Sequence, residues 1–505
     1  MAIILSTVLS LVAVGVVNFC AFKILRAVQR YRKLCRQISH FPHDPGNVFW
    51  GNLLQHPGPS EEGLRYQREM VAKYPRAYSV WLGPFFPVVL LTHPDTVKTI
   101  LRTSEPKSHY TYSLFKPWIG DGLLLSGGQK WERNRCLLAP AFHLDILRSY
   151  LDKKNKAADV FMKKLKGSAK REEYFEVFSV VRMFALDVIL RCAFSYDTDC
   201  QQLGEQHPYI RAVVALPQMA VKRFFQPWLY NDWLYFLTPS GRQFFKHCEE
   251  VHAVAEEIIA KRREVLVDEA FLSQRLNSEN ADNCKQRYVD FLDILLTAKD
   301  EDGEGLTPLE IRDEVDTLLL AGHDTTTSAI SWAMFSLAQH PEIQASCQAE
   351  VDDLMADRQS DDIVWEDLSK LPYLTMCIKE TLRLYSPVTY IQRELTRDTE
   401  IDGHTVPAGC IVNIGIYDEF QPERFTEENA SARSPYAFIP FSAGPRACMG
   451  QHFAVNEIKL VLARMLHRFT LVLDPNHKVE KTIVMKSPTG IRMKTVARLT
   501  EKSTP

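Results

Sequence analysis

Residues 441–450 constrain the fold of this chain more than any other segment, because they combine a cysteine with glycines and an arginine at close spacing. Gly444 and Gly450 have no Cβ, so the backbone can pass close to a flat, bulky group. Arg446 offers a planar fork of donors that suits a carboxylate, and Cys448 can supply a thiolate. Together these features fit a haem. The alternative is a structural cysteine beside an ordinary Gly-Pro turn.

Length, charge and cysteine content limit the class of protein. The chain has 505 residues, of which 46% are apolar, so it can bury a large core. Its formal net charge of −2 argues against nucleic-acid binding. The eleven cysteines include no C-x-x-C pair and no zinc-type spacing with histidine, which indicates reduced thiols in a protein that faces the cytosol.

The amino-terminal segment has the composition of a membrane anchor. Residues 2–22 contain no charged side chain, and as a helix of about 20 residues they would cross a hydrocarbon core of ~30 Å. A basic group follows at once: Lys23, Arg26, Arg30, Arg32, Lys33 and Arg36. This bias predicts that the downstream side faces the cytosol. The alternative is a cleaved signal peptide, but a charged n-region and an Ala-x-Ala site are missing.

The chain therefore divides into a transmembrane signal anchor (1–23), a basic and proline-rich linker (24–46) and one folded domain (47–505). Pro42, Pro45 and Gly46 break helix after the basic group. The pattern of the domain predicts a mainly α protein with a small β part. Helices are expected at 148–166, 173–195, 242–267 and from 451 to about 467, strands at 78–82, 87–92 and between 385 and 415, and a polar surface loop at 273–288.

A long helix is predicted in the middle of the chain. Thr307 and Glu310 make a capping box with proline at the first helical position, and Pro341 ends the helix after about Gln339. Gly322 lies inside this helix and weakens it by roughly 0.8–1.0 kcal/mol relative to alanine. A glycine in such a position often marks close approach by a ligand or another backbone.

Asp324 and Thr325 make an adjacent acid–alcohol pair on the same helix. Such a pair can supply protons to a reacting group, and general acid–base help of this kind is worth about 10²–10⁴ in rate. The alternative is a threonine hydroxyl bonded to a helix carbonyl beside a solvated aspartate. The preceding His323 is interpreted as a packed or hydrogen-bonded core residue and not as a metal ligand.

The cysteine segment resembles the haem-binding loop Phe-x-x-Gly-x-Arg-x-Cys-x-Gly of cytochromes P450. Five positions match at fixed spacing: Phe441, Gly444, Arg446, Cys448 and Gly450. The resemblance implies the cytochrome P450 fold and a haem b whose iron is bound by Cys448. It assigns further residues to the haem, its propionates or proton supply, which in chain order are Trp131, Arg135, Ala321, Gly322, Asp324, Thr325 and Arg393. Arg135 and Arg393 have the alternative of being ordinary surface arginines.

A charge motif also matches this family. Glu380-x-x-Arg383 places opposite charges on one helical face, and Arg424 lies in the sequence Pro-Glu-Arg-Phe that accompanies the motif in cytochromes P450. The resemblance implies a buried ion network of Glu380, Arg383 and Arg424 behind the haem. Glu-x-x-Arg alone occurs often by chance, so the prediction depends on the other motifs.

Residues 314–326 are similar to the central-helix signature of cytochrome P450 family 4, Glu-Val-Asp-Thr-Phe-Met-Phe-Glu-Gly-His-Asp-Thr-Thr, with nine of thirteen positions identical. The resemblance implies a single-pass enzyme of the endoplasmic reticulum membrane that hydroxylates fatty acids or related lipids at or near the terminal carbon. The implied partners are NADPH-cytochrome P450 reductase, cytochrome b5 as an optional second electron donor, membrane lipids and the lipid substrate.

Two departures from the family pattern affect this interpretation. Ala321 replaces a glutamate that forms an ester to a haem methyl in many members, so we expect a haem without that covalent bond. The segment between Ile416 and Pro422 is about a dozen residues shorter than in the family. The shortening leaves two alternatives open: a haem-thiolate isomerase of lipid hydroperoxides that needs no reductase, and a catalytically impaired isoform.

Overall fold

Helices make up most of the chain, and short strands occur towards both ends. The computed structural model describes residues 2–58, 60–83, 86–197, 199–276, 290–414, 421–431, 433–481 and 486–498. The mainly α prediction with a small β part is confirmed.

The α-helices are α1 (Ala2–Ile38), α2 (Glu61–Lys73), α3 (Pro94–Leu101), α4 (His109–Tyr112), α5 (Lys116–Ile119), α6 (Gly128–Leu138), α7 (Leu144–Arg171), α8 (Val177–Phe194), α9 (Cys200–Leu203), α10 (Pro208–Phe224), α11 (Asp232–Phe236), α12 (Pro239–Leu276), α13 (Phe291–Thr297), α14 (Pro308–Gln339), α15 (Pro341–Met355), α16 (Pro372–Leu384), α17 (Glu427–Ser431) and α18 (Gln451–Arg468). The strands are β1 (Ala77–Trp81), β2 (Pro87–Leu91), β3 (Phe175–Glu176), β4 (Ile391–Glu394), β5 (Thr399–Ile401), β6 (His404–Val406), β7 (Ile411–Ile414), β8 (Phe469–Leu473) and β9 (Arg492–Ala497).

Helix α14 is the long central helix that the sequence predicts. The Thr307 hydroxyl accepts a hydrogen bond from the Glu310 backbone N–H, and the Glu310 carboxylate accepts one from the Thr307 N–H, so the capping box is present. The helix spans 32 residues and ends two residues before Pro341, as expected. It packs against α8, α12, α16 and α18. Most of its residues are buried on all sides, which places it at the centre of the large helical core.

Three small sheets lie beside the helical core. The strand order is β1-β2-β7-β4 in the largest sheet and β3-β9-β8 in the second, and β5 pairs with β6 alone. Strands β2 and β7 are parallel, whereas β4 runs antiparallel to β7 with Arg393 opposite Val412. The second sheet joins the start of α8 to the carboxyl-terminal segment, because Phe175 pairs with Met493. Buried and half-buried residues alternate along β7 and at the start of β8, so these strands bury mainly one face, whereas β2 is buried at four of its five residues.

The first part of the linker is helical. Helix α1 continues through the basic group to Ile38, since neither proline nor glycine occurs between Gly15 and Pro42. Its end is docked: Lys33 lies 2.7 Å from Asp398, Ile38 is buried, and the His40 ring stacks on His404. Within the residues that the structure describes, no helix combines the length and the hydropathy needed to span a bilayer.

The prediction of a surface loop at 273–288 is wrong for its first four residues, because residues 273–276 form the last turn of α12. Two good helix formers, Arg275 and Leu276, extend the helix beyond the point where polar composition suggested an end. Residues 277–288 lie outside the described residues. The same holds for the shortened segment, whose residues 415–420 are not described.

Candidate functional site

The cysteine loop closes on itself before α18. The Cys448 backbone N–H donates to the Phe441 carbonyl oxygen with 2.9 Å between N and O. Gly444 has a φ of +71°, and a Cβ on it would collide with the Leu101 carbonyl oxygen, so only glycine is free of strain here. Gly450 is the N-cap of α18. The thiol of Cys448 therefore lies next to a helix N-terminus, where negative charge is favoured.

Protein atoms crowd the Cys448 thiol on most sides, although its side chain remains reachable by solvent. This burial raises the pKa of Cys448, while the Gly450 N–H, the Lys107 ammonium and the Arg135 guanidinium act in the opposite direction. The net shift is upward, so the thiol needs a stronger electrophilic partner to be ionised at neutral pH. A coordinating metal ion provides such a partner, because a thiol that binds one is deprotonated outright.

Trp131 and two arginines pack together above the loop. Trp131 is 5% exposed, and its ring centroid lies 4.2 Å from Cζ of Arg446 and 5.5 Å from Cζ of Arg135. Arg446 donates from Nη1 and Nη2 to the Ser126 carbonyl oxygen, each at 3.1 Å. Arg135 donates to the Ala447 carbonyl oxygen at 3.0 Å, directly before the cysteine. The structure therefore brings these predicted residues to one place.

A third arginine and a lysine complete a cluster of four cations near Cys448: Lys107, Arg135, Arg393 and Arg446. Arg393 on β4 is 2% exposed; its Nη1 donates to the carbonyl oxygen of the preceding Gln392, and its Nε has no hydrogen-bond partner in the described part of the chain. Burial and the two nearby guanidinium groups of Arg393 and Arg446 lower the pKa of Lys107 to about 7. Burial and the same kind of repulsion lower the pKa of Arg446 to about 10.

This cluster lacks an opposite charge. Among the described residues, the four cations form no ion pair with a carboxylate within 4.0 Å, although the more distant Glu132 raises the pKa of Arg446. Buried like charges without partners are unfavourable, so the arrangement fits an anionic group with two carboxylates beside a thiolate-bound metal. A haem with its two propionates has that composition. The residues present thus fit the cofactor that the sequence predicts.

Gly322 provides a close approach, but the neighbour is a helix. A Cβ on Gly322 would lie 2.7 Å from Cδ1 and 2.8 Å from Cγ1 of Ile189 on α8. Helix packing is therefore sufficient to explain this glycine. The neighbouring Ala321 is half-buried, and its carbonyl oxygen accepts a hydrogen bond from the Thr325 hydroxyl at 2.7 Å.

The acid–alcohol pair has separate partners. Asp324 is 3% exposed, and its Oδ1 lies 2.8 Å from Nζ of Lys486. Burial raises the pKa of Asp324, but Lys486, His323 and Arg182 outweigh it and the net pKa is below the ordinary value. The aspartate is therefore an ionised, buried group and is not solvated. The hydroxyl of Thr325 forms the helix hydrogen bond described above, as in the alternative interpretation of this residue.

His323 is a buried, hydrogen-bonded residue of the core, as interpreted from the sequence. It is 1% exposed, and its Nδ1 shares a hydrogen bond with the Leu319 carbonyl oxygen one turn earlier. Burial lowers its pKa, so the ring is neutral.

The three residues of the predicted ion network meet, but unequally. Glu380 on α16 is fully buried, and Arg383 donates to it from Nε at 2.7 Å and from Nη2 at 2.9 Å. The Gln421 backbone N–H donates to Glu380 at 2.6 Å. Arg424 lies 3.6 Å from the same carboxylate and is 39% exposed. The turn Pro422–Phe425 therefore packs against α16 in spite of the shorter segment before it.

Comparison with known proteins decides the family. The model of the cytochrome P450 family matches residues 42–495. The chain belongs to the cytochrome P450 family. Membership of this family means that the protein is a haem-thiolate monooxygenase. The relatives that the chain matches confirm the resemblance to family 4.

Those relatives cover nearly the whole chain. Human cytochrome P450 4F12 is 40% identical over 93% of this chain and 92% of its own length. Human cytochrome P450 4F2 is 40% identical, with 90% of each chain covered, and mouse leukotriene-B4 omega-hydroxylase 3 is 40% identical over 90% of this chain and 89% of its own. The crystal structure of a cytochrome P450 (CYP102L1) superposes with a TM-score of 0.75, covering 91% of this chain and 99% of that chain at 24% identity, which shows the fold.

Sequence reasoning missed two lysines of the site. Lys107 follows Pro106 in a loop before α4, and Lys486 precedes Ser487 near the carboxyl terminus. A single lysine in a loop carries no local pattern, because the sequence does not say which buried charge it will meet. Lys107 becomes significant because other cations lie near it beside Cys448, and Lys486 becomes significant because it pairs with the buried Asp324.

Proposed function

We propose that this cytochrome P450 hydroxylates fatty acids or eicosanoids at or near the terminal carbon. The substrate class is supported by relatives at 40% identity, one of which is named a leukotriene-B4 omega-hydroxylase. The observation that carries the enzymatic part is the buried cation cluster beside Cys448, which has the charge to hold a dianionic cofactor over a thiol. Two relatives of the 4F group match 93% and 90% of this chain, so the substrate proposal does not depend on one short segment.

The residues that would hold haem b are Cys448 for the iron and Arg135, Arg393, Arg446 and Trp131 for the propionate side. Bound haem supplies the activation of dioxygen with electrons from a partner protein. Around it, the chain positions the carboxylates, excludes water with the apolar residues of α14 and α8, and keeps the thiol beside a helix N-terminus. Phe441, Gly444 and Gly450 shape the loop under the cofactor.

Asp324 and Thr325 are proposed to supply protons during turnover. Asp324 is ionised and buried, so it can accept a proton from the solvent side and pass it on. The Thr325 hydroxyl holds one proton in a hydrogen bond to Ala321 and can rotate to donate it elsewhere. Thr325→Ala is expected to lower product formed per NADPH consumed more than it lowers NADPH consumption.

The haem is proposed to lack an ester bond to the protein, because Ala321 has no carboxylate. Extraction of the purified enzyme with acidic organic solvent should remove all haem from the polypeptide. Haem that stays with the chain after this treatment would contradict the assignment at this position.

The membrane arrangement is proposed from the sequence. The uncharged residues 2–22 and the basic group after them indicate a single-pass signal anchor (1–23), a linker (24–46) and a cytosolic domain (47–505) at the endoplasmic reticulum. Electrons would come from NADPH-cytochrome P450 reductase, with cytochrome b5 as an optional second donor. Alkaline carbonate extraction of microsomes that contain the full chain tests the anchor, since an anchored protein stays with the pellet.

The central experiment uses the full chain in lipid vesicles with reductase and NADPH. We expect a thiolate-type red-shifted Soret band in the reduced carbon monoxide complex, and terminal hydroxylation of fatty acids of increasing length and of leukotriene B4. Cys448→Ser should lose that band. Turnover of a lipid hydroperoxide together with no NADPH-dependent product would favour the isomerase instead. Absence of haem from the wild-type chain would favour the impaired isoform.

A further inference from the structure

Asp324 on α14 forms one ion pair among the described residues, and its partner, Lys486, lies near the carboxyl-terminal end of the chain. Lys486 Nζ lies 2.8 Å from Asp324 Oδ1, and the side chains are 19% and 4% exposed. Lys486 belongs to the segment that leads into β9, which pairs with β3 and β8. An ion pair this deep restricts both side chains, because neither group finds water as an alternative partner.

The segment that carries Lys486 is itself attached to α8. Glu176, the N-cap of α8, accepts a hydrogen bond from the Ile491 backbone N–H at 3.3 Å, and the Val177 N–H donates to the Ile491 carbonyl oxygen at 2.9 Å. Gly490 has a φ of +74°, and a Cβ on it would lie 3.0 Å from the Glu176 carboxylate. The position of the lysine is therefore set by the packing of the carboxyl-terminal sheet on α8.

Few charges have a large effect on the pair in the described part of the chain. Asp324 is faced by two cations, Lys486 and Arg182 of α8, which favour its ionised form, and by the neighbouring His323, whose ring is neutral because burial lowers its pKa. Lys486 is faced by Asp324 and Glu176, which favour the ammonium, and by Arg182, which opposes it. Lys486 is the nearest of the cations and the only one of them with an ion pair to Asp324 within 4.0 Å.

This pairing separates the acid from the alcohol. Asp324 and Thr325 are consecutive on a helix, so their side chains point about 100° apart and do not face each other. Asp324 is directed to the lysine, and Thr325 is bonded to Ala321 one turn back. Proton transfer between the two groups needs an intermediate water or a change of rotamer, and both depend on where the carboxylate is held.

We propose that Lys486 is a positioning residue for Asp324: it fixes the orientation of the carboxylate and keeps it ionised, so that the acid is ready to accept a proton from the solvent side. The proposal rests on the proposed role of Asp324 in proton supply. It gives the carboxyl-terminal sheet a part in the reaction, since a displacement of β9 would move Lys486 away from α14. Nothing in the resemblance to the family assigns a role to this lysine.

The structure determines what removal of the lysine should do. Lys486→Met leaves the Asp324 carboxylate buried with no ion-pair partner, so burial dominates and the pKa of Asp324 rises. A neutral acid cannot accept a proton. Product formed per NADPH consumed should then fall by about tenfold at neutral pH and recover as the pH rises. Lys486→Arg keeps the cation and should retain the wild-type value and its flat pH dependence.

The test combines infrared difference spectroscopy with a pH profile of coupling on the full-length holoenzyme. In the difference spectrum of Lys486→Met against the wild type, the carboxyl stretch of a neutral buried acid should appear, whereas it should be missing for Lys486→Arg and for the double variant Lys486→Met/Asp324→Asn. Other buried acids that are already neutral, such as Glu457, cancel in these differences. Lys494→Met is the matched control, because Lys494 lies on β9 against the Tyr174 ring and has no contact with Asp324. It should behave as the wild type in both measurements.

Two outcomes would overturn the proposal. One is a wild-type coupling profile in Lys486→Met, and the other is a neutral-acid signal in the wild type that Asp324→Asn removes. The infrared signal does not depend on which substrate the enzyme uses, so it separates failure of this proposal from failure of the lipid-hydroxylase proposal. If Lys486→Met does not fold, Lys486→Gln and Lys486→Arg carry the test, and equal pH profiles for these two variants would refute the role of the charge.

Discussion

Removal of single residues from the network around Glu380 should have unequal effects. Glu380 is fully buried, receives two hydrogen bonds from Arg383 and one from the Gln421 N–H, and lies 3.6 Å from a half-exposed Arg424. The bidentate pair with Arg383 is short and shielded from solvent. The contact with Arg424 is longer, and its Nε makes no hydrogen bond with the described residues. The free energy of the network should therefore be concentrated in one pair.

The magnitudes follow from burial. Arg383→Met leaves a buried carboxylate with one remaining N–H donor and a distant cation, which typically costs about 3–5 kcal/mol. Glu380→Ala leaves the Arg383 fork and the Gln421 N–H without an acceptor, so about 1–3 kcal/mol for the unpaired amide is added. Arg424→Met removes only a partly exposed pair, worth roughly 0–1 kcal/mol.

The assay is urea unfolding of the full chain in detergent, followed by circular dichroism, with haem content measured in parallel. A domain of this kind is stable by only about 5–15 kcal/mol, so we expect Glu380→Ala and Arg383→Met to contain little or no haem. Arg424→Met should keep wild-type haem content. Lys379→Met is a matched control on the same helix, because its ammonium lies 5.9 Å from the Phe425 ring centroid and outside the network.

A double-variant cycle provides the decisive comparison. The coupling energy between Glu380 and Arg383 should be several times that between Glu380 and Arg424. Equal couplings would refute the inference from exposure, and a normal reduced carbon monoxide spectrum from Glu380→Ala would refute the role of the network in holding the cofactor.

Three further changes have expected outcomes. Gly322→Ala should lower the unfolding free energy by about 1–3 kcal/mol because its Cβ would overlap Ile189, and Ile189→Val in the same chain should restore part of it in urea unfolding. Burial raises the pKa of Glu457 from 4.5 to about 8. The folded chain therefore binds this proton more tightly than the unfolded chain does. The resulting contribution to the free energy of unfolding is complete below about pH 4.5 and is lost as the pH rises to about 8. Glu457→Gln should therefore become more stable than the wild type across that window, by a difference that approaches roughly 5 kcal/mol, and a difference independent of pH would contradict this. Arg393→Met should weaken haem retention but raise the melting temperature of the haem-free chain, because it removes a buried cation that has no acid partner among the described residues.

Local patterns in the sequence were sufficient for several parts of the structure. The capping box at Thr307 and the proline at 341 predicted the ends of α14, and Gly444 was expected to allow a close approach, which the structure shows against the Leu101 carbonyl oxygen. Glu380 and Arg383 lie three residues apart on one helix, so their pairing depends on helix geometry alone. These predictions succeeded because each rests on contacts within a few residues.

Contacts between distant segments could not be predicted in the same way. The sequence gives no signal that Gly322 faces Ile189, that Lys107 joins three arginines, or that the network at Glu380 is asymmetric. The loop expected from 273 also began too early, because polar composition describes solvent exposure and does not exclude helix. Each of these features depends on which surfaces meet when the helices pack.

The sequence by itself was sufficient to predict the family, because a cysteine, an arginine and glycines at set intervals match the loop of cytochromes P450, and the family model confirms this. Only the tertiary structure decided which charges are buried without partners and which acid meets which base. The physical reason is that helix and turn geometry depend on neighbours in the chain, whereas the ionisation of Asp324 and the excess of cations beside Cys448 depend on solvent exclusion by segments hundreds of positions apart.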